Sequence, residues 1–397
     1  MQNKLRIALV VSHPIQHFCP QYVSFAKNKD ISLKVFFASA LGYKKYEDES
    51  FKKEIVWGNL QLDKFDHVFL NGEVALRADK NLDAPSLDAE LEKHNPDVVI
   101  VYGYFQKFQR RAYKWANKNN KKLAYISDSE LTRQRSHLVE WLKSVYLRYY
   151  FAKIDYFLTV GDANEEFYRR LNVKEEQLIR MHFPIDIEFY KDCFEQRHSL
   201  GAATRQQHNI HPDEMVISVV GKLAPWKNQD HIIEAMHLLE QEGIYLHLLI
   251  LGSGEKQEEW EKKAITLKKS KVNFVGFVDI DKLPGYYAAS DFYVHPASMD
   301  HHSIAISEAI YMQCPVVLSD RCGSFGDNDD VQPGRNGYVY QFGNIPELAE
   351  KIKLLFNSAA DRKRMGEYSH TIAVQFQEKA HYGVINSLIR KVNNPSA

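Results

Sequence analysis

Residues 296–320, "PASMDHHSIAISEAIYMQCPVVLSD", read as loop, helix and strand, and the helix is apolar except for one carboxylate, Glu308. A second carboxylate, Asp300, stands eight positions earlier and is followed at once by His301 and His302. At roughly 100° per residue, eight helical steps bring Glu308 back to within about 80° of Asp300's direction. Both acids can therefore serve one cleft. A helix starting near His302 or Ser303 would turn the amides of residues 301–304 into an anion-binding nest with the helix dipole behind it. The strand that follows, "PVVLSD", completes a helix-to-strand step of the kind that builds a parallel sheet.

That step recurs along the chain. "RIALVV" (6–11), "LKVFFA" (33–38), "DVVIVYG" (97–103), "KLAYIS" (122–127) and "YFLTVG" (156–161) predict buried parallel strands separated by helical patterns. After a polar stretch, "MVISVVG" (215–221), "LHLLILG" (246–252), "VNFVGFV" (272–278), "DFYVHP" (291–296) and "PVVLSD" (315–320) repeat the alternation. A chain of 397 residues exceeds the size at which one core usually keeps growing. The expectation is an α/β protein of two doubly wound, Rossmann-like domains facing each other across a cleft, with residues 195–213 as linker. Ligands then sit beyond the carboxyl ends of the strands.

Composition narrows the partners. Lys plus Arg equals Asp plus Glu, 51 against 51, so no global electrostatic case for nucleic acid exists. Cys19, Cys193, Cys314 and Cys322 form no CxxC pair and match no common zinc spacing, which predicts reduced thiols. The apolar run near the N-terminus is too short for a signal segment, and no run approaches the roughly 20 residues of a membrane span. These features lead to the expectation of a cytoplasmic protein.

Two further loops carry candidate chemistry. Gly221 ends a strand and is followed by Lys222 and Lys227, compact cations suited to a diphosphate. "LGSGEK" places Gly252 and Gly254 between a strand and a helix, where backbone can approach a ligand closely. Each loop has an ordinary reading too: a solvated basic loop, and a tight turn. For Glu308 the ordinary reading is a cap or an ion-pair partner, since a lone buried acid is costly.

Taken in order, "GKLAPWKNQDHIIEA", "LLILGSGEK", "VNFVGFVDIDKLPGYYAASDFYVHPAS", Asp300-x7-Glu308 and "CGSFGDNDDVQPGRNGYVY" (322–340) resemble the retaining GT-B glycosyltransferases of group 1, family GT4. The resemblance is dense over 215 to about 375. "SHPIQHFCPQY", "ISDSEL" and "VGDANEEFYRRLNV" fit one branch of that family in the N-terminal half. It implies transfer of a sugar from a nucleotide diphosphate donor, UDP- or GDP-linked, with no other cofactor and no metal. Lys222 and Lys227, with Gly221, Gly252 and Gly254, would hold the diphosphate. Glu308 would take the ribose. Asp300 and the amides of His301, His302, Ser303 and Ile304 would take the donor sugar and phosphates. The "DND" at 327–329 lies in the family's glycine-rich element and reads as turn chemistry.

The implied domains are an acceptor-side domain at 1–190, a linker at 191–213, a donor domain at 214–375, and a C-terminal helix at 376–397 returning to the first domain. The sequence departs from the family pattern at Asp300, where Glu is usual, at Ser303, where Gly is usual, and at Lys222, where Arg is common. The usual glycine pair of the first loop is replaced by His13, Gln16 and His17. These changes leave two rivals to a transferase: an epimerase or hydrolase of nucleotide sugars, and an inactive nucleotide-sugar-binding partner protein. Candidates on the acceptor side are Gln16, His17, Tyr104, Asp128, Ser129 and Glu130, with His17 and Asp128 as catalytic candidates beside Asp300 and Glu308. The acceptor expected is a glycan or lipid-linked sugar of cell-surface polysaccharide or lipopolysaccharide assembly. Finally, residues 133–153 pattern as a basic, aromatic helix able to rest on the inner face of a membrane.

Overall fold

The computed structural model describes residues 4–48, 53–130 and 137–394. Two parallel sheets form the framework. The first has seven strands, in spatial order His67–Phe69, Ile31–Phe37, Leu5–Val11, Val98–Tyr102, Lys122–Ile126, Tyr156–Thr159 and Leu178–Arg180. The second has six, in order Lys271–Gly276, His247–Leu251, Val216–Val220, Phe292–His295, Val316–Ser319 and Gly337–Tyr340. Their central strands are runs of Val, Ile, Leu and Phe buried on both faces, because helices cover each side of a parallel sheet. Leu5–Val11 pairs with Ile31–Phe37 in register over its whole length.

All ten strands expected from apolar runs are present. Three edge strands, His67–Phe69, Leu178–Arg180 and Gly337–Tyr340, had no such signal, because short edge strands need no continuous apolar run. A small antiparallel pair, Tyr46–Asp48 with Lys53–Ile55, lies apart from both sheets.

In each sheet the strand order reverses beside the first strand of its domain. In the second sheet that switch point lies between Val216–Val220 and Phe292–His295. The loops leaving those strands, 221–229 and 296–303, therefore flank a crevice at the carboxyl edge.

The segment expected as a linker is instead folded structure. Residues 197–207 form a helix that docks on the helix Leu283–Ala289. Gly201 permits the approach, since a Cβ there would lie 2.5 Å from the Ala288 carbonyl oxygen. Arg205 fixes it by donating to the Ala289 carbonyl and to Asp291 at 3.0 Å. The sequence "RHSLGAATRQQ" is polar, but it has good helix formers and one small face.

At the other end, the helix Ala359–Glu378 passes through a π-helical turn at 379–383 into Val384–Asn393. Val384, Ile385 and Leu388 lie in the core of the N-terminal domain. His381 locks the crossing, with Nδ1 2.8 Å from Ser24 Oγ and Nε2 2.8 Å from the Ile185 carbonyl.

Candidate functional site

The crevice is built from loops at the carboxyl edge of the second sheet. Gly221 has φ +152° and Gly252 has φ +140°, and a Cβ on Gly252 would lie 1.9 Å from the Gly221 carbonyl oxygen. A Cβ on Gly254 would come within 2.4 Å of the Leu223 carbonyl oxygen. These glycines let the two loops pack on each other, so tight packing accounts for them directly.

Lys227 Nζ donates to Asp300 Oδ2 at 2.6 Å, and His295 Nε2 stands 2.8 Å from the same oxygen. His295 Nδ1 is in turn 3.2 Å from the Tyr293 hydroxyl. Burial opposes ionisation of Asp300, but the hydrogen bonds from His295 and Lys227 outweigh it and hold its carboxyl well below the ordinary range. Asp300 is thus ionised and anchored from two sides.

The helix begins at Ile304 with Ser303 as its N-cap, and the Ser303 amide donates to Ser324 Oγ at 2.9 Å. Glu308, one turn into this helix, is only 3% exposed. The Tyr287 hydroxyl donates to its Oε2 at 2.8 Å, while burial pushes its pKa up to about 7. Glu308 nevertheless reaches a small cavity of about 60 Å³ between the domains, shared with Gln16, His17, Asp186, Ile280 and Asp281. His17 is neutral there, since burial pushes its pKa down to about 3, and its ring rests against Phe18 and Phe183.

His302 does not face a ligand through its side chain. Its ring stacks on Phe183 at 5.4 Å and its Nε2 lies 3.2 Å from Asp330 Oδ2. Despite its burial, the neighbouring Asp330 and Asp329 push its pKa up to about 8. Among the described residues, His302, Asp329 and Asp330 are the cluster whose ligand atoms could hold a cation, lying within 4.8 Å of one another. Three of their four carboxylate oxygens accept hydrogen bonds: Asp329 from the amides of Asp162 and Asp330, and Asp330 Oδ2 from Ser307 Oγ.

The aspartate loop expected as a simple turn is therefore a clasp between domains. The Asp162 amide donates to Asp329 Oδ2 at 2.7 Å, the Asn328 amide returns to Asp162 Oδ2 at 2.9 Å, and Arg180 donates to the Asn328 carbonyl at 2.7 Å. Gly161 and Gly326 lie against these carboxylates with room for no side chain.

The N-terminal candidates separate clearly. Glu130 is buried against Gly323 of the other domain. Asp128 is exposed, and Ser129 is used through its carbonyl, which accepts from Asn164. The Tyr104 ring packs on Tyr146 and Tyr150 of the helix His137–Phe151.

Residues 202–371 match the family described as glycosyl transferases, group 1. The match takes in the second sheet and the Asp300–Glu308 segment, which is less than half of the chain. Among curated proteins, the chain is 25% identical over 206 residues to an alpha-D-kanosaminyltransferase of Streptomyces kanamyceticus, covering 52% of each chain. It is 23% identical over 159 residues to the capsular polysaccharide biosynthesis glycosyltransferase CapM of Staphylococcus aureus, covering 40% of this chain and 41% of the other. These matches span about half the length of the curated relatives. Among solved structures, a glycosyltransferase of Rickettsia africae superposes with TM-score 0.71 at 14% identity, covering 99% of this chain and 100% of that one. Anabaena Alr3699/HepE in complex with UDP gives 0.68 at 17% identity, over 98% and 100%. The fold is GT-B over its full length.

Within this glycosyltransferase fold, the structure brings Lys227, Asp300, Glu308, Gln16, His17 and Glu130 to one interdomain seam. Sequence reasoning missed His295, although its place at the carboxyl end of "DFYVHP" was a usable signal. It also missed Tyr287, which holds Glu308, and the Asp162–Arg180–Asp329 clasp, which depends on contacts 167 positions apart and left no local pattern.

Proposed function

We propose that this chain transfers a sugar from a nucleotide diphosphate donor to a glycan or lipid-linked acceptor, with retained anomeric configuration and without a metal. The observation that carries the reading is the pair Asp300 and Glu308 at the switch point, with Lys227 bound to the first and the interdomain cavity opening on the second. Departure of a nucleoside diphosphate leaves negative charge, and preorganised cations and a helix N-terminus stabilise it where it develops. In the crevice Lys227 is held by Asp300. A diphosphate arriving there competes for an ammonium already desolvated and positioned. Glu308, set by Tyr287, is placed to accept the ribose hydroxyls.

Support for the nucleotide comes from Alr3699/HepE, whose complexes hold UDP and UDP-glucose. Support for a cell-surface product comes from CapM, which is named for capsular polysaccharide biosynthesis. The donor favoured on these grounds is a UDP-sugar.

Contact with a membrane is part of the same proposal. No helix among the described residues is long and apolar enough to cross one. The helix His137–Phe151 instead exposes Trp141 (62%), Leu142, Val145, Tyr146 and Tyr149 (71%), and Phe105 lies exposed nearby. Its neighbour Lys107–Lys118 adds the exposed cations Lys107, Lys114 and Lys118. Apolar side chains beside cations suit an anionic bilayer surface, where a lipid-linked acceptor resides. Arg133 and Arg135, which began the basic pattern, lie outside the described residues.

Proton NMR of the product formed from a UDP-α-sugar in the presence of EDTA tests the chemistry. An α-linked product formed at an undiminished rate is expected. A β-linked product, or activity abolished by the chelator, would overturn the retention or the metal independence respectively.

A further inference from the structure

Glu130 leaves the N-terminal sheet four residues after the strand Lys122–Ile126 and ends on the other domain. Its carboxyl sits directly on Gly323: a Cβ added to Gly323 would lie 1.9 Å from Oε1 and 2.0 Å from Oε2. The residue is 7% exposed, and neither oxygen has a hydrogen-bond partner among the described residues. An unsatisfied buried polar group is costly, so two in one side chain call for a physical reason.

The surroundings indicate what is missing. Gly323 belongs to the loop that pairs with Asp300, its amide donating to the Asp300 carbonyl at 3.0 Å. Glu130 and Asp300 thus stand at the same short loop, one from each domain. Desolvation first, then the nearby charges of Asp329, Asp128 and Asp300, push the Glu130 pKa up to about 10. A neutral carboxylic acid offers one donor and one acceptor, the complement of an alcohol. An anion would be repelled by the three neighbouring carboxylates, so a diphosphate does not fit this position. The other N-terminal candidates fit less well: Asp128 is exposed, Tyr104 packs on the helix His137–Phe151, and His17 lies at the Glu308 cavity.

We infer that Glu130 holds the attacking hydroxyl of the acceptor beside Asp300, and that Gly323 is a glycine because that seat leaves no room for a side chain. The inference rests on the transferase reading given above. Glu130 acts by hydrogen bonding alone: the acceptor oxygen bonds to the anomeric carbon as the bond from that carbon to the diphosphate oxygen breaks, and the hydroxyl proton goes to the departing diphosphate, not to Glu130. Any polyol acceptor satisfies the seat, and water is its simplest occupant.

The experiment compares wild type with Glu130→Gln, Glu130→Ala and Gly323→Ala. Calorimetry with UDP reads the donor site. Turnover of UDP-glucose is followed with water alone and with methyl α-glucoside as the acceptor. Glu130→Ala is expected to leave the UDP Kd and the donor KM within twofold while lowering turnover at least tenfold, with Glu130→Gln recovering part of the loss. Gly323→Ala should behave like Glu130→Ala in turnover. It should also lower Tm by several degrees in wild type, but by much less in the Glu130→Ala background. Full turnover in Glu130→Ala, UDP affinity falling in step with turnover, or an equal Tm cost of Gly323→Ala in both backgrounds would overturn the inference. A wild type that neither binds UDP nor consumes UDP-glucose would instead defeat the transferase reading for this donor, and the melting comparison would still decide the Glu130–Gly323 seat.

Discussion

Replacing Tyr287 by Phe removes one hydroxyl and keeps the buried ring, so the fold should survive. The lost hydroxyl donates to Glu308 Oε2 at 2.8 Å. A hydrogen bond to a charged group contributes about 1.5–3 kcal/mol, which corresponds to a further rise of roughly 1–2 in the Glu308 pKa from its starting value near 7. At pH 7.5 Glu308 is then about three quarters ionised in wild type and about one quarter or less in the variant. If the ionised carboxylate accepts the ribose hydroxyls, affinity for UDP-glucose rises with pH through about 7 in wild type and only at higher pH in Tyr287→Phe. UDP-glucose suits the titration because its diphosphate is a diester with no proton to lose in this range. Calorimetry from pH 5.5 to 9.5 should show a loss of affinity of roughly three- to twentyfold in the variant at pH 7.5, growing toward acid pH and shrinking toward alkaline pH. A flat wild-type profile, or the same midpoint in both proteins, would refute the reasoning.

Breaking the domain clasp should be costly. Arg180 donates to Asp162 and Glu165, both at 2.6 Å, in a mostly buried setting, so Arg180→Met should lower unfolding stability by about 3–5 kcal/mol in denaturant titration. A cost below about 1 kcal/mol would place the network at the level of exposed ion pairs. Trp141→Ser and Tyr149→Ser remove exposed rings from the helix His137–Phe151. Each should weaken co-sedimentation with phosphatidylglycerol-containing vesicles about tenfold or more, without changing Tm, because each ring contributes about 1.5–3 kcal/mol when buried. Vesicle binding equal to wild type would remove the membrane contact from the account. Lys227→Ala should lower UDP-glucose affinity and turnover together. It should also raise the Asp300 pKa toward its ordinary range, because one of the two donors to Oδ2 is gone; unchanged turnover would exclude Lys227 from the donor site.

Much of this architecture was legible in the sequence because parallel strands buried on both faces must be apolar throughout. The ten runs from "RIALVV" to "PVVLSD" could therefore be placed without tertiary information. The relative placement of Asp300 and Glu308 was not fixed by helical periodicity, because the helix begins only at Ile304 and Asp300 lies in the loop before it, bridged to Cys322. Other features were hidden for physical reasons. The polar composition of 191–213 suggested a linker, yet Gly201 and Arg205 make it a packed helix through contacts about 85 positions away. His302 was expected at the donor through its amide; that two aspartates from a later loop would enclose its ring left no local signal. Tyr287 carried no local signal, and its hydroxyl's role appears only when Glu308 is placed beside it. Local periodicity reports burial and direction; it does not report which polar groups meet across two domains.

The most direct test is calorimetry of UDP, GDP, ADP and CMP with wild type and Glu308→Ala, each shown to be folded. The account predicts that wild type binds one nucleoside diphosphate, UDP by preference, and that Glu308→Ala binds it at least tenfold more weakly. A folded wild type that binds none of the four, or a Glu308→Ala variant that binds as tightly as wild type, would contradict the placement of a nucleotide donor at this helix.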